Sequence, residues 1–328
     1  MTQCAEAAIR GGAGRLAVAA ATEAFELRQA QPEVPILTMG ALTGAELDVA
    51  LQARSELTVW RLDSLEEVAG RAAMFGHRPR VHVKYDTGMG RLGTRDVAVA
   101  RELVERCATD ERVELAGLWT HFATADEEQD TFLREQLGRF RELALPLRDR
   151  HPGLVLHAAN SAATLRDAES HFDMVRCGVA IYGLDPFGAD AAAHGLEPAL
   201  SLHSYVADVK RVGTGGSVGY GRTWTAREPT SVGVLPIGYG DGVRRALGNR
   251  ADVLIGGSRI PLAGTVSMDN VTVDLGVRTE VQPGEPAVLI GRQGDEVVSA
   301  EEWARRLDTI NYEVTCGISA RVPRAYRR

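Results

Sequence analysis

The chain has 328 residues and a formal net charge of −7 at pH 7, with 45% apolar and 25% charged residues. A chain of this length corresponds to about two domains and can bury a core without a disulfide or a metal. The composition excludes disordered, collagen-like and coiled-coil chains. The acidic balance gives no basic surface for nucleic acid or anionic lipid, so a small molecule is the expected ligand.

The cysteines and the first residues predict the compartment. Four cysteines lie far apart without CxxC spacing, which predicts reduced thiols rather than a disulfide framework or a zinc site. No apolar run approaches the roughly 18 residues of a membrane span, and Met1 is followed by TQCAE instead of a basic leader. These features predict a cytoplasmic protein without a metal site.

Short apolar runs alternate with helical patterns along the first 185 or so residues, which is typical of β/α units around a parallel sheet. The predicted helices are residues 4–10, residues 23–30, a segment after the capping box Thr43-x-x-Glu46, a segment from Ser64-x-x-Glu67 to about residue 75, residues 96–107 and residues 130–148. The predicted strands are residues 16–19, 35–39, 57–60, 80–86, 115–122, 154–159 and 174–182.

Seven strands are one fewer than the eight that close a (β/α)8 barrel. The first predicted helix, residues 4–10, has no strand before it. We therefore predict an α/β fold of the TIM type, a (β/α)8 barrel lacking its first strand, and we expect the missing strand upstream of Met1.

The pattern changes after Pro186, where β-rich runs with Gly-rich turns replace the long helices. The predicted strands there are residues 202–212, 231–237, 251–255 and 287–290, with one helix at 300–307 after the capping box Ser299-x-x-Glu302. These runs predict a mainly antiparallel β domain. A Gly/Ala-rich linker suggests a barrel domain over residues 1–190 and a β domain over residues 191–328.

Reacting groups of a barrel lie at the carboxyl ends of its strands. The strand at residues 80–86 carries Lys84 and leads into a glycine-rich turn that presents Arg91, a side chain suited to binding a carboxylate through two hydrogen bonds. The next strand ends near His121, which could stack on a ligand ring or act as a base. A solvated arginine and a structural histidine remain open alternatives.

The last two predicted strands lead into polar segments, HAANS at residues 157–161 and RCGV at residues 176–179. A barrel's phosphate site commonly lies at this point. A serine hydroxyl and the N–H groups of a glycine turn are good donors to a phosphate, so the two segments together predict a phosphorylated ligand. Taken singly, Asn160 would be a helix cap and Arg176 a surface charge.

Three polar clusters interrupt the apolar strands of the second domain: GYGDG at residues 238–242, SMDN at 267–270 and NYE at 311–313. Each by itself predicts only a turn. The sequence contains no P-loop, nucleophile elbow or HExxH motif, so chemistry based on those motifs has no support.

Seven segments together resemble the alanine racemase family, in its order and across essentially the whole chain. They are VKYDTGMGRLG, WTHFATADE, HAANSAATL, DMVRCGVAIYGLDP, LPIGYGDGVRR, GTVSMDNVTVD and TINYEVTCGISARVPR. The family comprises fold type III enzymes that interconvert L- and D-alanine for the cell wall with pyridoxal 5'-phosphate. The resemblance implies a barrel followed by a β domain, an alanine substrate, and a homodimer whose two active sites are shared.

The resemblance implies roles for residues at the substrate. Tyr239 would be the base on one face, acting from the neighbouring subunit, and would need nearby cations for that work at neutral pH. Arg91 would hold the substrate carboxylate and the phenolic oxygen of the cofactor, aided by the backbone of Met268, with Asp269 in the same segment. Lys84 is similar to the lysine that the family carbamylates to orient this arginine.

The resemblance also implies residues that hold the cofactor. His121 would pack against the ring, and Arg176, supported by His157, would face the pyridine nitrogen. Because an arginine cannot give that nitrogen a proton, the ring would be a weak electron sink, and racemisation would be favoured over transamination. The remaining cofactor-binding residues, most of them at the phosphate, would be Asn160, Ser161, Gly178, Val179 and Tyr312.

Two positions depart from the family pattern. The family's cofactor-binding lysine and the tyrosine of the same segment, which reads like VVKANAYGHG, are absent, and the alignment places them a few residues upstream of Met1. A chain without that lysine is expected neither to retain the cofactor covalently nor to racemise with two bases. Thr265 stands where the family usually has an arginine, which is expected to alter substrate access.

We therefore predict an alanine racemase whose sequence starts at an internal methionine. Two alternatives stay open at this point: a non-catalytic, racemase-like paralogue that lost the lysine, and a related serine or broad-specificity amino-acid racemase. The intact remaining motifs favour the enzyme, because drift after loss of function would be expected to erode them.

Overall fold

The computed structural model describes residues 1–327 and contains two compact units. The first unit runs from Met1 to Gly178, and the second begins at Val179. The division falls before the predicted boundary at residue 190. Val179 and Leu184 already pack into the hydrophobic core of the second unit, which explains the earlier division.

The first unit is an open half-barrel of parallel strands. Its six strands pair in the order of the chain: β1 (Leu16–Val18), β2 (Ile36–Thr38), β3 (Glu56–Val59), β4 (Arg80–Lys84), β5 (Glu114–Trp119) and β6 (Val155–His157). The helices are α1 (Thr2–Arg10), α2 (Ala21–Ala30), α3 (Gly44–Gln52), α4 (Leu62–Phe75), α5 (Val97–Thr109), α6 (Phe132–Arg150) and α7 (Ser161–Arg166). Within the described residues, β1 and β6 form the two edges of this sheet.

Six of the seven predicted barrel strands are confirmed, and the seventh is wrong. Residues 174–182 contribute an isolated parallel bridge between Met174 and His157, after which Val179–Tyr182 forms a 3₁₀ helix. The Arg176 guanidinium turns back onto carbonyl oxygens at the ends of the neighbouring strands instead of extending a ladder. A strand ending at residue 182 is therefore replaced by one bridge and a turn of helix.

Side-chain hydrogen bonds lie at two of the helix starts. Glu46 accepts hydrogen bonds from the backbone N–H and the hydroxyl of Thr43, each at 2.8 Å, so the predicted capping box opens α3. The predicted cap at Ser64 is wrong, because α4 already begins at Leu62. Ser64 lies in the first turn of that helix and donates its hydroxyl to the Arg61 carbonyl at 2.7 Å.

The second unit is mainly antiparallel, as predicted. Its strands are β7 (Leu202–Tyr205), β8 (Asp208–Val212), β9 (Ser217–Val218), β10 (Trp224–Thr225), β11 (Thr230–Leu235), β12 (Asp252–Ile255), β13 (Ser258–Pro261), β14 (Val271–Gly276), β15 (Pro286–Gln293) and β16 (Glu296–Val298). β11 lies between β8 and β14, while β15 pairs with β7, β12 and β16. Two helices follow, α8 (Ala300–Leu307) and α9 (Asn311–Cys316).

The single strand predicted at residues 202–212 is two strands in different sheets. The backbone N–H of Val206 donates to Glu285, whereas the next N–H, that of Ala207, donates to Val234. The chain therefore passes from the ladder of β15 to the ladder of β11 within one residue.

The predicted helix near residue 300 is confirmed, with the Ser299 hydroxyl accepting from the Glu302 N–H at 3.1 Å. Its Trp303 is buried in the core of the second unit. Across residues 1–327 there is no helix with the length and apolar character needed to cross a membrane.

Candidate active site

Three neighbouring strands of the half-barrel end in side chains that touch one another. Lys84 is the last residue of β4, Trp119 the last of β5 and His157 the last of β6, and the register aligns them across the sheet. The Trp119 ring stacks on the His157 ring with centroids 5.6 Å apart. The same indole ring carries the Lys84 ammonium at 4.0 Å and the Arg176 guanidinium at 4.5 Å from its centroid.

Lys84 is held in an unfavourable environment for its charge. Its side chain is only 3% exposed, and no carboxylate pairs with it among the ion pairs of the described residues. Burial, followed by the positive charges of Arg91 and Arg176, lowers the pKa of Lys84 to about 8. Near neutral pH this amine therefore stays mainly protonated, but its neutral form is more populated than that of an ordinary lysine.

Arg176 is fixed by four hydrogen-bond acceptors. Its Nη1 donates to Nδ1 of His157 at 2.9 Å, and its Nη2 donates to the carbonyl oxygens of Thr120 at 2.7 Å and Ala158 at 3.0 Å. A longer contact of 3.3 Å joins Nη2 to Nδ1 of His121. Burial lowers the pKa of Arg176 to about 9, so the guanidinium remains charged at neutral pH.

His121 is a neutral ring among cations. Burial, followed by the charges of Arg176, Arg91 and Lys84, lowers its pKa to about 3. Because Arg176 can only donate, Nδ1 of His121 accepts, which puts the ring proton on Nε2. An uncharged aromatic ring therefore lies beside the guanidinium.

Arg91 lies on the glycine-rich turn after β4, and its side chain is exposed. The turn is organised by Asp86, which accepts from the N–H groups of Gly88 and Gly90 at 3.1 Å and pairs with Arg95 at 3.0 Å. Gly93 has φ of +117°, and a Cβ there would lie 3.0 Å from the Asp86 nitrogen. The turn thus needs glycine at position 93, and it holds Arg91 close enough for its charge to act on Lys84 and His121.

The predicted phosphate segments meet within the first unit. The Gly178 N–H donates to the Ser161 hydroxyl oxygen at 2.9 Å. Asn160 is a helix cap, because its side-chain oxygen accepts from the Ala163 N–H at 3.0 Å at the start of α7. Gly178 has open space around its Cα, since a Cβ at this position would meet nothing within 4 Å.

The second unit brings two of its predicted polar clusters together. The N–H of Tyr239 donates to the Ser267 carbonyl at 2.9 Å, and the next N–H donates to Met268 at 2.9 Å. A Cβ on Gly238 would lie 2.3 Å from the Ser267 oxygen, so only glycine permits this approach. The side chains of Tyr239 and Met268 are both exposed, by 43% and 51%.

An arginine that was not predicted from the sequence links the same two loops. Arg321 donates to Asp269 at 2.7 Å and pairs with Asp241 at 3.2 Å. It belongs to the last of the family-like segments, and that resemblance is the only feature of the sequence that could have marked Arg321 as a site residue.

Two further predicted residues lie elsewhere in the second unit. Val179 opens the 3₁₀ helix and is 7% exposed, and Tyr312 is the second residue of α9. The turn predicted at residues 311–313 is therefore wrong, since these residues form the first turn of a helix that Ile310 precedes in an extended conformation.

Two polar residues beneath Arg176 were also not predicted from the sequence. Glu56 at the start of β3 and His82 in the middle of β4 are both buried and continue the contacts of His157. His82 lies two residues before Lys84, so the period of two along a strand could have placed it on the same face.

A parallel half-barrel with cations collected at its strand ends, followed by a β domain, defines a barrel-type enzyme for a small anionic ligand. The family description "Alanine racemase, N-terminal domain" matches residues 1–186, and "Alanine racemase, C-terminal domain" matches residues 199–326. The chain belongs to the alanine racemase family.

Curated and solved relatives agree with this assignment. The chain is 44% identical to the alanine racemase of Geobacillus stearothermophilus, over 99% of this chain and 83% of the relative. It is 41% identical to alanine racemase 1 of Bacillus subtilis, over 99% of this chain and 82% of the relative. The alanine racemase of Streptomyces coelicolor A3(2) superimposes with a TM-score of 0.91 at 38% identity, covering 98% of this chain and 87% of that structure. The Bacillus anthracis alanine racemase with bound L-Ala-P superimposes with a TM-score of 0.85 at 38% identity, covering 99% of this chain and 84% of that structure.

Proposed function

We propose that this protein interconverts L- and D-alanine with pyridoxal 5'-phosphate and supplies D-alanine for peptidoglycan precursors. The observation that carries the proposal is the group of cations at the strand ends, Lys84, Arg91 and Arg176, around the neutral ring of His121. Such a group favours a ligand with a phosphate, a phenolate and a carboxylate. The family resemblance extends the proposal to a cytoplasmic homodimer with shared active sites.

The donor chemistry of the first unit fits the cofactor. The Ser161 hydroxyl and the Gly178 N–H lie 2.9 Å apart, close enough to serve one phosphate group. Arg176 carries only donors, which suits a ring nitrogen that keeps its lone pair. The neutral imidazole of His121 can pack against an aromatic ring without the cost of desolvating a charge.

Each of the site residues would have a separate role in the reaction. When bound, the cofactor supplies an aldehyde carbon for the substrate amine and a ring that delocalises the charge left by removal of the α-proton. Arg91 would hold the substrate carboxylate through two hydrogen bonds. Arg176 would donate to the ring nitrogen without transferring a proton, and Tyr239 of the neighbouring subunit would exchange the α-proton on one face.

The lysines of the sequence do not supply the family's second base. Lys84 and Lys210 are the only two, and Lys210 on β8 pairs with Asp208 at 2.8 Å. The lowered pKa of Lys84 raises the fraction of its neutral amine, which is the form that reacts with carbon dioxide, and this supports its carbamylation. A carbamate there would place a negative charge directly among Lys84's neighbouring cations, Arg91 and Arg176.

The two alternatives are not favoured by the comparisons. The relatives named above are all alanine racemases, and the family match covers both units. Neither a non-catalytic paralogue nor a serine or broad-specificity racemase has a comparable relative among them.

Exchange of the α-proton of alanine in deuterated water, with added pyridoxal phosphate, tests the proposal. General-base catalysis contributes at least about 100-fold, so Tyr239→Phe is expected to reduce the exchange by that factor. Tyr205→Phe is the matched control, because Tyr205 is also an exposed tyrosine of the second unit, on β7. Equal cofactor-dependent exchange by both variants would refute the assignment of Tyr239.

The coding DNA gives an independent test. An in-frame stretch reading Lys-x-x-x-Tyr-Gly-His-Gly upstream of Met1 would support the enzyme. A stop codon with no such stretch would support the paralogue.

A further inference from the structure

A row of buried polar side chains crosses the half-barrel beneath Arg176. Nη1 of Arg176 lies 2.9 Å from Nδ1 of His157, Nε2 of His157 lies 3.0 Å from Nδ1 of His82, and Nε2 of His82 lies 2.8 Å from Oε2 of Glu56. Both histidines are completely buried, and Glu56 is 5% exposed. These four residues are called the buried relay below.

The residues at the two ends of the buried relay, a donor and an acceptor, determine which nitrogen of each histidine carries the ring proton. A guanidinium only donates, so Nδ1 of His157 must accept, and its ring proton lies on Nε2. That proton can only be donated to Nδ1 of His82, whose own proton then lies on Nε2 and is donated to the Glu56 carboxylate. Donation therefore runs in one direction, from Arg176 to Glu56, through two neutral rings of the same tautomer.

The contact between His82 and His157 needs space on the strand that lies between them, β5. Residue 117 on β5 is a glycine, and a Cβ there would lie 2.3 Å from Nδ1 of His82. The two imidazole rings meet edge to face, with centroids 5.1 Å apart and planes at 79°. Any larger residue at position 117 would occupy the space that the His82 ring needs.

The far end of the buried relay is anchored by cations. Glu56 pairs with Arg15 and lies 3.3 Å from Arg80. Burial opposes ionisation of Glu56, but the hydrogen bond from His82 and the two arginines overcome it and lower its pKa. Burial lowers the pKa of both His82 and His157, which agrees with two uncharged rings.

We propose that Glu56 and His82 are positioning residues of the active site, and that the Glu56 carboxylate fixes the tautomers of His82 and His157 so that His157 always offers Arg176 a lone pair. The proposal rests on the proposed function in one respect, that Arg176 faces the ring nitrogen of the cofactor. With the opposite tautomer, N–H would face N–H between His157 and Arg176, and the guanidinium would lose its acceptor on Nη1.

Nitrogen NMR of the full chain labelled with ¹⁵N-histidine tests the proposal without the cofactor. At neutral pH, His82 and His157 are each expected to show an unprotonated Nδ1 and a protonated Nε2, with signals assigned by single His→Gln variants. In Glu56→Gln the amide can donate as well as accept, so the His157 signals are expected to shift toward the Nδ1–H form. A protonated Nδ1 on either ring of the wild-type chain overturns the proposal, whether or not Glu56→Gln folds.

Glu114→Gln is the matched control. Glu114 lies 3.4 Å from the same Arg80 but is half exposed and is not part of the buried relay. Its substitution is expected to leave the His157 signals unchanged. Equal spectra of folded Glu56→Gln and Glu114→Gln would reduce Glu56 to a partner of the arginines and would also overturn the proposal.

A titration with pyridoxal phosphate connects the buried relay to the site. Loss of the acceptor on Arg176 is expected to weaken cofactor binding by about tenfold in Glu56→Gln relative to Glu114→Gln. Equal affinity in these two variants would contradict the positioning role. If the wild-type chain binds no cofactor at all, the proposed function fails, while the tautomers measured by NMR still decide whether Glu56 orders the rings.

Discussion

Replacement of Lys84 by methionine should make the protein more stable at neutral pH. Burial lowers the pKa of Lys84 from 10.5 to about 8, which at 1.36 kcal/mol per unit corresponds to a cost of about 3 kcal/mol for keeping the charge inside. The ammonium recovers part of this through the Trp119 ring at 4.0 Å, by about 0.5–2 kcal/mol. Lys84→Met retains an unbranched side chain, so the net gain is expected to be about 1–3 kcal/mol.

The gain should depend on pH in a direction that follows from proton binding. Below pH 8 the folded and unfolded states both hold the proton on Lys84, so the stability of the wild-type chain is lowered by the whole free-energy cost of the buried charge. Between pH 8 and 10.5 the unfolded state binds more protons, so wild-type stability rises relative to the variant. Urea unfolding of both proteins from about pH 6 to 10, in buffer free of carbon dioxide, measures the difference. A variant less stable than wild type at pH 7, or a constant difference across the range, would refute this reasoning.

Three further outcomes are expected. Gly117→Ala should lower the free energy of unfolding by about 1–3 kcal/mol because its Cβ would lie 2.3 Å from the His82 ring, whereas Gly70→Ala, in open space within α4, should be neutral or stabilising in the same urea assay. The His121 ring should show no titration by NMR between about pH 5 and 8, since its pKa is about 3; a shift in that range would mean that the cations do not surround it. Pyridoxal phosphate bound to the chain should be removed by gel filtration and should leave no mass adduct on Lys84 after borohydride reduction; a stable adduct there would contradict the role given to that lysine.

The periodicity of the sequence is sufficient to predict the six strands of the half-barrel, but it wrongly predicts a seventh strand at residues 174–182. Regular alternation of apolar strands and helical patterns predicts β1 to β6, because the strands are short and largely buried and therefore read as short apolar runs. The segment at 174–182 has the same apolar composition, yet it bends away where the Arg176 side chain bonds to carbonyl groups of other strands. Such a long-range hydrogen bond leaves no local pattern to detect.

The candidate site was predicted unevenly for a similar reason. Lys84, Arg91 and Arg176 follow from their places at or near the ends of predicted strands, since parallel strands bring their ends together. Glu56 and His82 were missed because they are polar residues inside strands, where their function depends on partners on other strands. Only the assembled sheet, in which Gly117 leaves space between β4 and β6, shows that His82 meets His157, 75 positions away along the chain.

A crystal structure of the chain with pyridoxal phosphate tests the central claim most directly. We predict the phosphate within hydrogen-bond distance of the Ser161 hydroxyl and the Gly178 N–H, with the ring nitrogen facing Arg176 and the His121 ring packed on the pyridine. A phosphate bound elsewhere, or a ring nitrogen remote from Arg176, would contradict the proposed site.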